Sequence, residues 1–241
     1  MVLRILIYYI LTFFFTILLG GVQQETGLLP ELILPQLAPG IAAILMLLFF
    51  RKDKHSIKFE FKSNQVKKYL LSIGYPILIT AIAIIAVILF TERLGWSQLT
   101  LIPSLVVIAS TLIGSIGEEI GWRGYLQPTL NKKMNLFWSS IVTAALWAPW
   151  HVGNFSYGIT YAIGFILAIF GYTFFISYLI KDTKFNLVIA VLFHWFVNLA
   201  NSVAPTNTLL SSEFMLTLGM VWIIAALILG ISQKKVFKKK A

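Results

Sequence analysis

Cysteine is absent from the 241 residues, which removes disulfide frameworks, thiolate metal sites and cysteine nucleophiles together. Charge is scarce as well. Charged residues make up 12% of the chain and hydrophobic residues 59%, where a soluble domain has about 25% and about 45 to 50%. With a mean hydropathy of +0.87, the chain lacks the polar surface of a water-soluble body, so a soluble domain on a single anchor is excluded, and so is intrinsic disorder. Alternating polar and apolar positions are missing too. Runs such as Ala81 to Phe90 (AIAIIAVILF) are apolar on every face, which excludes an outer-membrane barrel. His, Asp, Glu, Ser and Lys remain as the agents of any chemistry.

What is present reads as an all-α membrane protein. A membrane-crossing helix needs about 20 mostly apolar residues, and eight segments qualify: Val2 to Val22, Leu32 to Phe50, Tyr69 to Phe90, Leu99 to about Gln127, Phe137 to Gly153, Tyr157 to Ile180, Leu187 to Val203 and Phe214 to Ile231. The first, with Arg4 ahead of its apolar run, resembles a signal peptide, but the run is too long and no small-x-small site follows, so it is expected to be retained. The expectation is a single integral membrane domain over 1–241, a bundle of eight transmembrane helices.

Lys and Arg set the orientation. With the N-terminus inside, 18 of the 19 basic residues fall on inner segments: Arg4, the loop from Arg51 to Lys68, Arg123 with Lys132 and Lys133, Lys181 with Lys184, and the tail from Lys234 to Lys240. Only Arg93 is outside. Both termini are therefore expected in the cytoplasm. The net charge of +10 is accounted for by topology and contact with the lipid bilayer, and no nucleic-acid partner is implied.

Ionisable groups within spans are rare and usually functional, since each costs about 2.5 to 3.5 kcal/mol near the bilayer centre on insertion scales. Of nine acids, only the adjacent Glu118 and Glu119 lie inside a span, and of three histidines His151 and His194 do, while His55 lies in the basic loop. Glu119 and Arg123 stand four apart on a helix and are expected to pair. Glu118, about 100° round the helix from its neighbour, is left over as a proton acceptor that desolvation makes costly to keep charged. His194 and Asn198 share a helical face, and Trp147 precedes His151 by four with Pro149 between them, where a kink is expected.

At 1.5 Å per residue from the inner turns, Glu118 lies roughly 15 Å deep, His151 roughly 20 to 25 Å, and His194 with Asn198 roughly 10 to 20 Å, so the groups overlap at mid-depth. The shared site is expected to open toward the cytoplasm. Taken singly, the ion pair is accounted for as a lock between helices, and a lone intramembrane His as a helix-to-helix hydrogen bond. Taken jointly, two His, a free Glu and an Asn are the inventory for activating water and stabilising an oxyanion. Gly164, Gly171 and Gly219 read as packing surface.

These residues resemble the CAAX protease and bacteriocin-processing family of intramembrane endopeptidases, also called the Abi family. Its first motif, two glutamates followed by an arginine, is matched by Glu118, Glu119 and Arg123. The second, an aromatic four before a histidine, is matched by Trp147 and His151, although the family usually has Phe there. The last, histidine and then asparagine, is matched by His194 and Asn198. The resemblance covers about Gly117 to Asn198, within a protease-like core of about 99–203.

The resemblance implies that Glu118 and His151 activate water to attack a peptide carbonyl of a membrane-associated protein or peptide substrate, CAAX-type and prenylated or plain. His194 and Asn198 then hold the oxyanion, with Glu119 and Arg123 in support. No cofactor is expected. The family is often labelled metalloprotease and zinc stays open, but the donors come singly from distant helices without an HExxH pair, which favours no metal. The expected location is a prokaryotic cell membrane. Two alternatives remain: a catalytically silent immunity or peptide-binding protein of the same fold, and a proton-coupled transporter, for which internal repeats are missing. Nothing in the sequence sets an oligomeric state.

Overall fold

A computed structural model describes residues 1–30, 32–50, 57–91, 104–203 and 211–238. The expected start of the fourth span at Leu99, the outer residue Arg93, the loop residues 51–56 with His55, Glu31, Glu92 and most of the outer connection before Glu213 lie outside the described residues. Among the described residues every regular element is helical, and strand-like pairing is confined to one isolated bridge, Lys58 to Asn186.

The helices in chain order are α1 (Val2–Thr26), α2 (Ala38–Phe49), α3 (Val66–Thr91), α4 (Leu105–Gly121), α5 (Gln127–Asn131), α6 (Leu136–Trp150), α7 (Ile159–Ile180), α8 (Leu187–Ser202), α9 (Ser212–Ser232) and α10 (Lys234–Lys238). Each of the eight apolar segments falls on a helix. Among the described residues five stretches are long and apolar enough to cross a membrane alone: Val2–Thr26, Ser63–Phe90, Leu105–Asn131, Ile159–Ile180 and Ser212–Ser232. The helices α2, α6 and α8 are shorter, with 12, 15 and 16 residues, or roughly 18 to 24 Å against a hydrocarbon core of about 30 Å.

Local chemistry sets several boundaries. Ser104, Asn135, Asn186 and Ser211 cap α4, α6, α8 and α9 by accepting a backbone N–H, as side-chain oxygens at helix starts do. Pro149 does not kink the fifth span as expected; it sits in the last turn of α6, and His151 leaves the helix at φ −85°, ψ 32°. The reason is position: a proline this near the end has no following turn to bend, so the chain passes into a 3₁₀ turn, Val152–Tyr157. Between α4 and α5, Trp122–Leu126 form a π-turn, a local widening common at functional sites.

Small residues let the helices meet. A Cβ on Gly164 would strike the Met215 carbonyl, and one on Gly219 would strike the Gly164 carbonyl, so α7 and α9 cross with their backbones in contact. A Cβ on Gly117 would lie 2.7 Å from the Gln36 carbonyl oxygen, which seats α4 against the 3₁₀ turn Leu34–Leu37 that leads into α2. Trp122, Trp147 and Trp222 are fully enclosed, while Phe14, Ile17, Leu89 and Phe90 are exposed, as lipid-facing side chains must be.

Asn186 shows which ends lie together. Its amide donates to the Glu60 carbonyl at 2.6 Å and to Gln65 Oε1 at 2.8 Å, and Leu187 N–H donates to the Lys58 carbonyl at 2.8 Å. The start of α8 therefore sits at the basic end of the bundle, and its second half points to the opposite end. The Gly219 contact makes a direct prediction: Gly219→Ala should lower unfolding stability by about 1 to 3 kcal/mol through overpacking, whereas Gly230→Ala on the same helix, with nothing near its Cβ, should be neutral or stabilising. Thermal unfolding of both variants in one detergent checks the contrast.

Candidate active site

The long α4 brings Glu118, Glu119 and, through the π-turn, Arg123 into the centre of the bundle, and all three are fully buried. Arg123 Nη1 donates to Glu119 Oε1 at 2.9 Å, as the four-residue spacing requires. Arg123 Nη2 donates to Thr173 Oγ1 on α7 at 3.2 Å. The guanidinium carbon lies 4.2 Å from the Trp147 ring centroid, a cation–π contact that desolvation strengthens.

Glu119 does more than neutralise Arg123. The same Oε1 lies 2.9 Å from His194 Nδ1, so one carboxylate oxygen joins a guanidinium and an imidazole across α4 and α8. Glu118 is held differently. Trp147 Nε1–H donates to Glu118 Oε2 at 2.9 Å, and the His151 Nε2 atom stands 3.8 Å from that oxygen, too far for a hydrogen bond. Among the described residues Glu118 Oε1 has no hydrogen-bond partner. His151 Nδ1 is 3.2 Å from the Trp147 carbonyl; a carbonyl only accepts, so Nδ1 carries the proton, and in the neutral ring Nε2 is an acceptor. Asn198 Nδ2 donates to Ser115 Oγ at 3.4 Å.

Glu118, His151, His194 and Asn198 line one cavity of about 410 Å³, within the range of small-molecule and peptide sites. Glu119 and Arg123 stand behind its wall. The rest of the lining is mainly apolar, including Trp150, Phe165, Ile169 and Val197, with Gln36, Asn154 and Asn201 as further polar groups. Sequence reasoning missed Ser115, Thr173 and Asn201; each is a small polar residue inside an apolar run, a weak signal that gains meaning only from its partner.

The lining also includes Ile33, Pro35, Gly153 and Asn154, which belong to the connections at the end opposite the basic segments.

Among the described residues no group of three or more His, Asp or Glu side chains is arranged to hold a metal ion.

Residues 99–200 match the Rce1-like family, described as type II CAAX prenyl endopeptidase. The chain is similar to the lysostaphin resistance protein A of Staphylococcus haemolyticus, 28% identical over 200 residues that cover 80% of this chain and 54% of the relative. Against the protein of that name from Staphylococcus epidermidis it is 28% identical over 203 residues, covering 79% and 51%, and against that from Staphylococcus aureus 27% over 197 residues, covering 79% and 47%. The chain spans about half the length of the curated relatives it matches.

Glu118 and the Glu119–Arg123 pair should part in their response to mutation. Arg123→Ala leaves a buried carboxylate short of its guanidinium and should cost roughly 3 to 5 kcal/mol of stability, whereas Glu118→Gln, which keeps shape and an acceptor for Trp147, should unfold close to the unmutated protein. Thermal or denaturant unfolding in micelles separates the cases.

Proposed function

The chain belongs to the CAAX protease and bacteriocin-processing family, and from that premise we propose that it is an intramembrane endopeptidase that hydrolyses a peptide bond near a membrane-associated substrate. The observation that carries this reading is the pair of acceptor atoms, Glu118 Oε2 and His151 Nε2, 3.8 Å apart in a cavity. A water between two such acceptors donates one hydrogen to each, which aligns its lone pair for attack. Glu118 takes the proton as the water oxygen bonds to the peptide carbonyl carbon, and the carbonyl electrons move onto its oxygen. The Asn198 carboxamide N–H and a His194 Nε2–H stabilise that oxyanion. On collapse the carbon–nitrogen bond breaks, and the proton held by Glu118 passes to the departing amine.

His194 donates from Nε2 while its Nδ1–H serves Glu119 only as an imidazolium. A second reading, a catalytically silent immunity or peptide-binding protein of the same fold, draws support from the relatives, whose name speaks of lysostaphin resistance.

The assay uses protein in lipid vesicles with prenylated and plain C-terminal peptides. Cleavage should vanish in Glu118→Gln, and Asn198→Ala should lower turnover by about 10²- to 10³-fold with little change in affinity, as for loss of one oxyanion donor. Activity should survive chelators; loss to a chelator with recovery on stoichiometric zinc would turn Glu118 and the histidines into ligands. Binding of the same peptides with no cleavage under any condition favours the silent protein.

The eight-span topology with both termini inside also belongs to this proposal, and with it the cavity faces away from the cytoplasm. Because the chain has no cysteine, single cysteines report sidedness cleanly. A membrane-impermeant maleimide should label Ser156→Cys in intact cells and Lys133→Cys only after permeabilisation; the reverse pattern would invert the topology.

A further inference from the structure

We propose that Trp147 is a positioning residue that sets the relation between Glu118 and His151, one through its side chain and the other through its backbone. The inference rests on the hydrolase reading above and deepens it.

Trp147 is 1% exposed on the last turns of α6. Its indole N–H donates to Glu118 Oε2 at 2.9 Å, and its carbonyl accepts from His151 Nδ1 at 3.2 Å. The first contact fixes the rotation of the carboxyl group, and the second fixes the tautomer that leaves His151 Nε2 as an acceptor facing that group. A single residue thereby sets the spacing of the two atoms between which the water is placed. The ring cannot turn away. Arg123 covers its face with the guanidinium carbon 4.2 Å from the centroid, and His194 meets it edge-on at 5.3 Å and 74°. The cation that neutralises Glu119 therefore also aims the donor at Glu118.

The side chain at this position is where the sequence departs from the resemblance. A phenylalanine would keep an aromatic face for Arg123 and a backbone carbonyl for His151, but it has no N–H for Glu118. Merely filling the core would not require the donor, so the two roles separate experimentally.

Two variants remove the N–H: Trp147→Phe, and replacement of Trp147 by the sulfur isostere β-(3-benzothienyl)alanine, which keeps the bulk. Both should lower kcat by about 10- to 100-fold, the range for a hydrogen bond to a charged group, with KM unchanged. A purely structural role would leave the isostere with full kcat, and that result overturns the proposal. A readout independent of turnover is the indole N–H spectrum of ¹⁵N-tryptophan-labelled protein, which has seven tryptophans. The signal missing from Trp147→Phe should move in Glu118→Ala; an unmoved signal also overturns the proposal. Failure of the underlying reading looks different: the signal moves, yet the unmutated protein cleaves nothing, which refutes the hydrolase and with it the positioning role, while the contact stands.

Discussion

The site depends on one carboxylate oxygen. Glu119 Oε1 accepts from Arg123 and His194 at 2.9 Å each, far from water, where a lone carboxylate would cost several kcal/mol. Because that oxygen satisfies a cation in the π-turn that follows α4 and an imidazole on α8, it ties α4 to α8 and orients the His194 ring. It also frees Glu118 from any structural ion pair. Two adjacent glutamates so acquire different duties from their partners alone: one locks, and the other faces the cavity.

The helices around this node suit the task. The short α6 ends just before His151, the short α8 carries His194 and Asn198, and turn residues rather than a continuous apolar helix follow His151 at the cavity. The π-turn at Trp122–Leu126 keeps Arg123 buried within reach of Glu119, Thr173 and the Trp147 ring. Aromatic packing behind it, with Tyr8 of α1 set edge-on to Trp122 at 5.9 Å, closes the bundle around the charges.

Much of this was legible in the sequence. Among the described residues apolar runs located the eight longer helices, and the four-residue spacings paired Glu119 with Arg123 and put His194 on a face with Asn198. What stayed hidden depends on contacts between helices. No spacing predicts that His194 reaches Glu119, 75 residues away, or that an indole N–H on α6 meets Glu118. The π-turn left no pattern of its own. Counting residues along straight helices yields depth but not which helix ends are left uncovered, and Pro149 was read as a kink when its position in the last turn made it part of a terminus.

The central claim is that water, activated between Glu118 and His151, is the nucleophile. Protein in vesicles incubated with a membrane-protein extract in H₂¹⁸O tests it directly, with new C-termini read by mass spectrometry. The account predicts one ¹⁸O atom in each new C-terminal carboxylate, and none of those termini with Glu118→Gln. New termini that persist with Glu118→Gln, or an active preparation whose products carry no label, would contradict it.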